Sequence, residues 1–416
     1  VGSEMCIRDR LKLMHDIAIG RLDPNQADPD WTIPRSPFDA ISYLQASLSE
    51  DDLRSNLRLL APSSEHYRQI KAAIERYQSY VDRGDWRRIP ATPLLKPGDY
   101  HRSVSAIRER LNFEGARLAT DSRLLTDMYD DELVRAVRAF QRRHSLSADG
   151  IVGPRTLRAM NISAQARLKQ INVALERLRW LPDDLGERYI LVNLANYRLT
   201  AVENNEIKLD MRVIVGKAQR STPSFSSEMT KIVLNPHWYV PNKLARLDLL
   251  PKQKRNPNYF ESQNIRVFDN VNGVNTEVSP TSIDWNALDG DHFPYALRQE
   301  PGSNNALGQL KFIMPNPWNI YLHDTPSKSL FNYSQRNFSA GCIRVEDPLA
   351  LADFSLEGNN NRLDIQEMIS SRKSQITELE KPVAVYAIYT TVWFDGNQVI
   401  FSHDNYQRDQ KIAQFL

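Results

Sequence analysis

Two short stretches decide the reading of this chain. One is Phe338-Ser339-Ala340-Gly341-Cys342-Ile343-Arg344-Val345; the other, Tyr321-Leu322-His323-Asp324-Thr325-Pro326, carries a histidine nineteen positions before the cysteine. A thiol becomes a nucleophile near neutral pH when a neighbouring imidazole takes its proton or stabilises its thiolate. The small-Gly-Cys approach predicts closely packed backbone, so that N–H groups around Gly341 and Cys342 can face a developing oxyanion. A lone cysteine is most often a small buried hydrophobe. Cys342, however, follows Ser-Ala-Gly and precedes a strand on which Arg344 shares its face. The same two-residue spacing puts Tyr321 on the face of His323. His323 itself stands before a turn at a strand end, which suits a side chain at a cleft rim. It is the best general base in the chain, with His237 and His403 the next candidates.

These residues resemble the signature of L,D-transpeptidases with a YkuD-type catalytic domain, which runs from a His to Ser/Thr-x-Gly-Cys-apolar-Arg/Asn. Val215-Gly216-Lys217, Thr222-Pro223-Ser224-Phe225, Asn235-Pro236-His237-Trp238-Tyr239-Val240-Pro241 and Asn305-Ala306-Leu307-Gly308 are similar to the long, periplasmic, YcbB-like branch. The likeness covers roughly residues 165–405. It departs from many members at Ala340, where they carry His before the Gly. The resemblance implies Cys342 as nucleophile, His323 as base and the backbone carbonyl of Asp324, rather than its carboxylate, as the group fixing the imidazole. It implies the Gly341 backbone at the oxyanion and Tyr321, Arg344, Ser339 and Trp238 in contact with substrate. Two residues keep a second reading: Arg344 could instead brace Glu346 or Asp324, and Trp238 could pack the cap rather than cover substrate.

The activity so implied is transfer between peptidoglycan stem peptides, forming 3→3 cross-links through a Cys thioester, with β-lactams of the carbapenem type as covalent inhibitors and no cofactor. Two other outcomes are an L,D-carboxypeptidase on the same site and a non-catalytic wall-binding scaffold. No multi-Cys or H-x-x-x-H pattern offers a metal site, and Gly302 to Gly308 lacks the Lys-Ser/Thr of a phosphate loop.

Composition sets the bounds. The 416 residues suit two or three domains, with 41% hydrophobic and 25% charged residues, as in ordinary globular protein. A net charge of +2, with both signs interspersed, argues against nucleic acid as a partner. Two cysteines cannot make a disulfide scaffold, and a lone catalytic thiol fits an oxidising compartment. No run approaches the roughly 18 apolar residues of a membrane span. Residues 1–10, Val-Gly-Ser-Glu-Met-Cys-Ile-Arg-Asp-Arg, look like the translated end of a sequencing adapter, which makes Cys6 an artefact. The expectation is therefore a periplasmic protein whose export signal or anchor is missing from this chain.

The expected architecture is multidomain α+β. Residues 11–98 read as a helical scaffold, with Tyr67, Ile70, Ile74, Tyr77 and Val81 on one face and Pro90, Pro93 and Pro97-Gly98 as a linker. Residues 99–162 read as a compact three-helix unit: Asp130 and Asp131 start a helix, Pro154 opens a short one, and Ala136 to Leu157 resembles a peptidoglycan-binding domain. A scaffold joined to a wall-binding module would suit recruitment by cell-wall synthases. Residues 163–185 predict a linker helix, and 186–416 a mainly β catalytic domain, with strands at Arg188–Leu194, Tyr197–Glu203, Leu209–Val215, Lys231–Leu234, Lys311–Met314 and Asn319–Leu322. Within it, the Pro-rich residues 241–300 predict a partly folded capping insertion, a mobile lid over the site. Asp347-Pro348 predicts a helix start, and Asp395-Gly396 a hairpin turn.

Overall fold

A computed structural model describes residues 2–47, 53–118, 127–271, 274–288, 293–357 and 362–416. Of the suspected adapter sequence, residues 2–10 open a helix, Gly2–Ile19, while Val1 and the side chain of Cys6 lie outside the described residues.

The first part of the chain is helical. Helix Glu65–Asp82 begins where the Ser64 hydroxyl accepts the Tyr67 N–H, a cap worth about 1 kcal/mol. Its spacing buries Tyr67, Ile70, Ala73 and Tyr77 on one face. That face packs against helix Ala164–Arg179 and a late hairpin, in one apolar cluster containing Ile171, Val392 and Phe401. The linking helix thus packs on the helix before it and on the late hairpin, as its amphipathic spacing predicts. Between these helices lies a three-helix unit of Ser103–Phe113, Asp131–Arg143 and Pro154–Met160, built around Ile107, Leu133, Val137 and Phe140. Asp130 caps the middle helix by accepting the Leu133 N–H and also pairs with buried Arg108. Among the described residues no helix is long and apolar enough to cross a membrane.

From Arg188 the period becomes two. The strands are β1 (Arg188–Asn193), β2 (Arg198–Glu203), β3 (Glu206–Gly216), β4 (Phe225–Leu234), β5 (Trp238–Tyr239), β6 (Ile265–Val271), β7 (Val274–Val278), β8 (Ala296–Gln299), β9 (Leu310–Ile313), β10 (Leu322–His323), β11 (Asn337–Ser339), β12 (Ile343–Val345), β13 (Gln375–Ile388), β14 (Val392–Asp395) and β15 (Gln398–Phe401). Nine of them form one sheet in the order β11-β3-β12-β10-β9-β4-β13-β1-β2, and β2 also pairs with β3, so the sheet closes on itself. Its interior holds Val192, Val213, Ile232, Phe312, Leu322 and Ile343. The strand expected at Asn319–Leu322 is only Leu322–His323, because Asn316 ties Asn319 and Ile320 into a turn before it. The helix after Asp347 is Pro348–Ser355, and β14–β15 turn at Asp395-Gly396.

The capping insertion is more ordered than its composition suggests. Strands β5-β8-β6-β7 form a separate sheet that starts at Trp238, before Pro241. This sheet and short helices enclose their own core of Leu249, Leu250, Phe260, Val267, Trp285 and Leu297. A segment with such a core is a packed subdomain rather than a partly folded loop.

Candidate active site

The short strand β10 carries the histidine, and its two neighbours complete the site. It pairs in parallel with β12, Leu322 opposite Ile343 and His323 opposite Arg344, and antiparallel with β9, His323 opposite Lys311. Leu322 and Ile343 point into the core, so alternation turns His323, Arg344 and Lys311 to the other face. That face looks onto a cleft of about 1220 Å³, which Cys342, His323, Tyr321, Arg344 and Lys311 all line, with Trp238 and Tyr239 of the insertion across from them. The thiol and the imidazole therefore open onto the same space.

His323 is buried, and its Nδ1 lies 2.5 Å from the Asp324 carbonyl oxygen. Nδ1–H donates to that carbonyl, which leaves Nε2 as the basic nitrogen. Burial, then the charges of Arg344 and Lys311, lower its pKa to about 3, so the ring is neutral at pH 7. The Asp324 carboxylate is spent elsewhere: Oδ2 accepts the Gln309 N–H and Oδ1 pairs with Lys328.

Cys342 is half-buried, with Sγ 3.9 Å from the Asn319 carbonyl. Burial pushes the thiol above its ordinary range, and hydrogen bonds from the Tyr321 backbone and hydroxyl, then Lys311 and Arg344, draw it part of the way back. The resting pair is thus a thiol and a neutral imidazole, not an ion pair. Tyr321 connects them: its ring meets His323 edge-on at 5.6 Å, and Lys311 Nζ sits 3.9 Å from its centroid.

Three family profiles match the chain. Residues 187–365 match "L,D-transpeptidase catalytic domain", the YkuD profile; residues 101–160 match "Putative peptidoglycan binding domain"; and residues 8–74 match "Scaffold domain". The chain carries a YkuD-type transpeptidase domain and a peptidoglycan-binding domain. A curated Haemophilus influenzae protein named "Putative L,D-transpeptidase" is 38% identical over 238 residues, 57% of this chain and 47% of its own length. The chain thus spans about half the length of that relative. Among solved structures, an L,D-transpeptidase from Stackebrandtia nassauensis is 12% identical, covering 72% of this chain and 97% of its own, at a TM-score of 0.28. One from Mycobacterium smegmatis is 14% identical, covering 48% and 59%, at 0.24.

Within the transpeptidase domain the remaining expected residues divide. Neither Glu346 nor Asp324 is braced by Arg344, since Arg212 holds Glu346 through its backbone N–H and its guanidinium. Arg344 Nε is buried without a hydrogen-bond partner. Ser339 is buried, and its hydroxyl is engaged by the loop itself, donating to Cys342 O at 2.6 Å and accepting the Gly341 N–H at 3.1 Å. Gly341 is needed for its φ of +130° rather than for a close approach, because a Cβ there would meet nothing within 4 Å. Trp238 both packs on the insertion's core and lines the cleft. His237 pairs with Glu300, and His403 is exposed. Lys311 escaped sequence reasoning, although its alternation with the apolar Phe312 and Met314, which are buried, was a usable signal that it takes the opposite face. Among the described residues neither Lys311 nor Arg344 has an acidic partner.

Proposed function

We propose that the chain is a periplasmic L,D-transpeptidase that makes 3→3 peptidoglycan cross-links through a thioester on Cys342. The observation that carries this reading is the shared cleft, in which Cys342 and a neutral, carbonyl-anchored His323 stand on adjoining elements. The donor is a tetrapeptide stem whose third residue is a diamino acid joined to terminal D-Ala. As substrate seats, His323 Nε2 takes the thiol proton and Sγ attacks the carbonyl of the third residue. The thiol's resting contacts are Asn319 and Tyr321, and such bonds commonly realign only in the substrate complex. The C–S bond forms, the C–N bond breaks, and the imidazolium returns the proton to the departing D-Ala amine. A side-chain amine of a second stem then attacks the thioester and gives its proton to His323. The C–S bond breaks, and that proton restores the thiol.

Charge in the cleft fits such a substrate. Among the described residues Arg344 and Lys311 are half-buried cations without carboxylate partners, and desolvated charge of this kind is costly until an anion arrives. A stem-peptide carboxylate supplies one. The packed insertion, tied to the domain by the Arg220–Asp248 ion pair, covers the cleft and limits the entry of water that would turn the thioester to hydrolysis. The same nucleophile would open the ring of a carbapenem, forming C–S and breaking the lactam C–N bond. The peptidoglycan-binding domain would hold the enzyme on its substrate, where cell-wall synthases would be its neighbours.

The test is product analysis. Purified protein incubated with tetrapeptide muropeptides should yield 3→3 dimers by mass, and imipenem should add one adduct to Cys342. Loss of D-Ala without dimers would show a carboxypeptidase; neither product nor adduct would leave a wall-binding scaffold.

A further inference from the structure

The turn before Cys342 is held by hydrogen bonds on both sides of Gly341. Ser339 Oγ holds both the Gly341 N–H and the Cys342 carbonyl. The Gly341 carbonyl accepts a 2.7 Å hydrogen bond from Thr222 Oγ1, a fully buried hydroxyl that also accepts the Gly216 N–H at 3.0 Å. Among the described residues the Cys342 N–H makes no hydrogen bond within the protein. Carbonyl and N–H of one trans peptide point in opposite directions in one plane. Whatever grips the Gly341 oxygen therefore aims the Cys342 hydrogen.

Thr222 is itself held. The backbone of residues 220–222 passes so close to Gly216 that a Cβ there would lie 2.2 Å from Arg220 O and 2.9 Å from Thr222 N. The Tyr406 hydroxyl donates to Gly216 O at 2.5 Å and meets the Thr222 N–H at 3.5 Å. Tyr406 is stacked on Tyr389 and lies beyond residues 187–365, the part matching the transpeptidase profile. On the other side, Ser224 exchanges backbone hydrogen bonds with Asp30 and Thr32 of the amino-terminal region, at 2.7 and 2.8 Å.

We propose that Thr222, buttressed by Tyr406, is a positioning residue that points the free Cys342 N–H at the oxyanion formed during acylation. The inference rests on the transpeptidase reading and names a part of its machinery that never touches substrate. It separates two reactions of one thiol. Acylation passes through an oxyanion and needs the aimed N–H; alkylation by iodoacetamide displaces iodide from carbon and forms no oxyanion.

The experiment measures both rates on the full chain, with imipenem adduct formation by intact mass and iodoacetamide labelling of Cys342. Thr222→Val should slow acylation by roughly 10- to 100-fold, below the loss for deleting an oxyanion donor outright, and leave alkylation within about twofold. Thr222→Ser restores the hydroxyl and should recover acylation to within about threefold. Tyr406→Phe should fall between, and it carries the test if Thr222→Val fails to fold. Wild-type acylation in Thr222→Val, a parallel fall of both rates, or no rescue by Ser would overturn the proposal while the transpeptidase reading stood. An unmodified wild type under imipenem, with no muropeptide product, would instead sink that reading and this inference with it.

Discussion

His144 in the peptidoglycan-binding unit and His323 in the cleft are nearly the same object by every local measure. Both are buried, and each donates from Nδ1 to a backbone carbonyl, Phe140 O at 2.9 Å and Asp324 O at 2.5 Å. Burial is the chief cause holding both imidazoles neutral, and arginines add to it in both places. What differs is the surroundings. His144 lies flat on Phe140 at 3.8 Å and faces Phe401 at 5.6 Å, with Nε2 sealed away from any partner. His323 meets Tyr321 edge-on and borders a cleft that also contains a thiol. A depressed pKa and a fixed tautomer therefore do not make a base; access to a substrate does.

The largest effect that would break this pairing is on turnover. His323→Gln should cut acylation of Cys342 by on the order of 10³-fold, the usual loss on removing a general base, with little change in melting temperature. His144→Ala should do the reverse, costing about 2–3 kcal/mol through the cavity between two rings while changing turnover by less than about threefold. Comparable activity losses in both variants would mean that the two histidines are not distinguished by access.

The next effect concerns pH. An imidazole with a folded pKa below its unfolded value binds a proton on unfolding. Each histidine therefore contributes stability that is complete above about pH 6.5 and is lost as pH falls toward the folded value, which for His323 is about 3. Urea midpoints should drop between pH 7 and pH 5. His144→Phe keeps the stack and removes one of the imidazoles whose pKa burial lowers, leaving His66 and His323, so it should flatten part of that drop at unchanged activity. An identical slope in the variant would contradict a buried neutral His144. The cleft has its own signature: with the thiol pushed up and no imidazolium beside it, alkylation of Cys342 should keep rising through pH 9. A plateau near pH 7 would reveal a thiolate–imidazolium pair instead.

The same comparison shows which features a sequence can carry. Helical spacing exposes Tyr67, Ile70 and Tyr77 because a helix closes its bonds locally. Cys342 and His323 were legible because they flank one turn-and-strand pattern. The sheet inside the insertion was not, since Trp238–Tyr239 pairs with Arg298 and Gln299, roughly sixty positions away, and local period says nothing of such pairing. Ser339 reads as a polar residue beside a nucleophile, and only coordinates reveal that its hydroxyl faces backbone. Thr222 stood only in a stretch that carries the resemblance, with no role of its own, and Tyr406 gave no signal. Their importance comes from a carbonyl that folding alone delivers to them.

The smallest effect sharpens the contrast at the residue beside the base. Asp324 offers His323 a carbonyl, while its carboxylate grips the Gln309 N–H and Lys328. It lies so tightly over Gly308 that a Cβ there would fall 2.2 Å from Oδ2, and Gly308 itself has a φ of +62°. The carboxylate thus braces the loop behind the imidazole rather than the imidazole itself. Asp324→Ala keeps the carbonyl and removes the brace. Melting should report a loss of about 1–3 kcal/mol, the cost of leaving a buried N–H without its acceptor, and turnover should fall less than about tenfold. Near-total loss of turnover in a natively folded Asp324→Ala protein would make the carboxylate the third member of the catalytic set. A contact that looks structural would then be the one that acts.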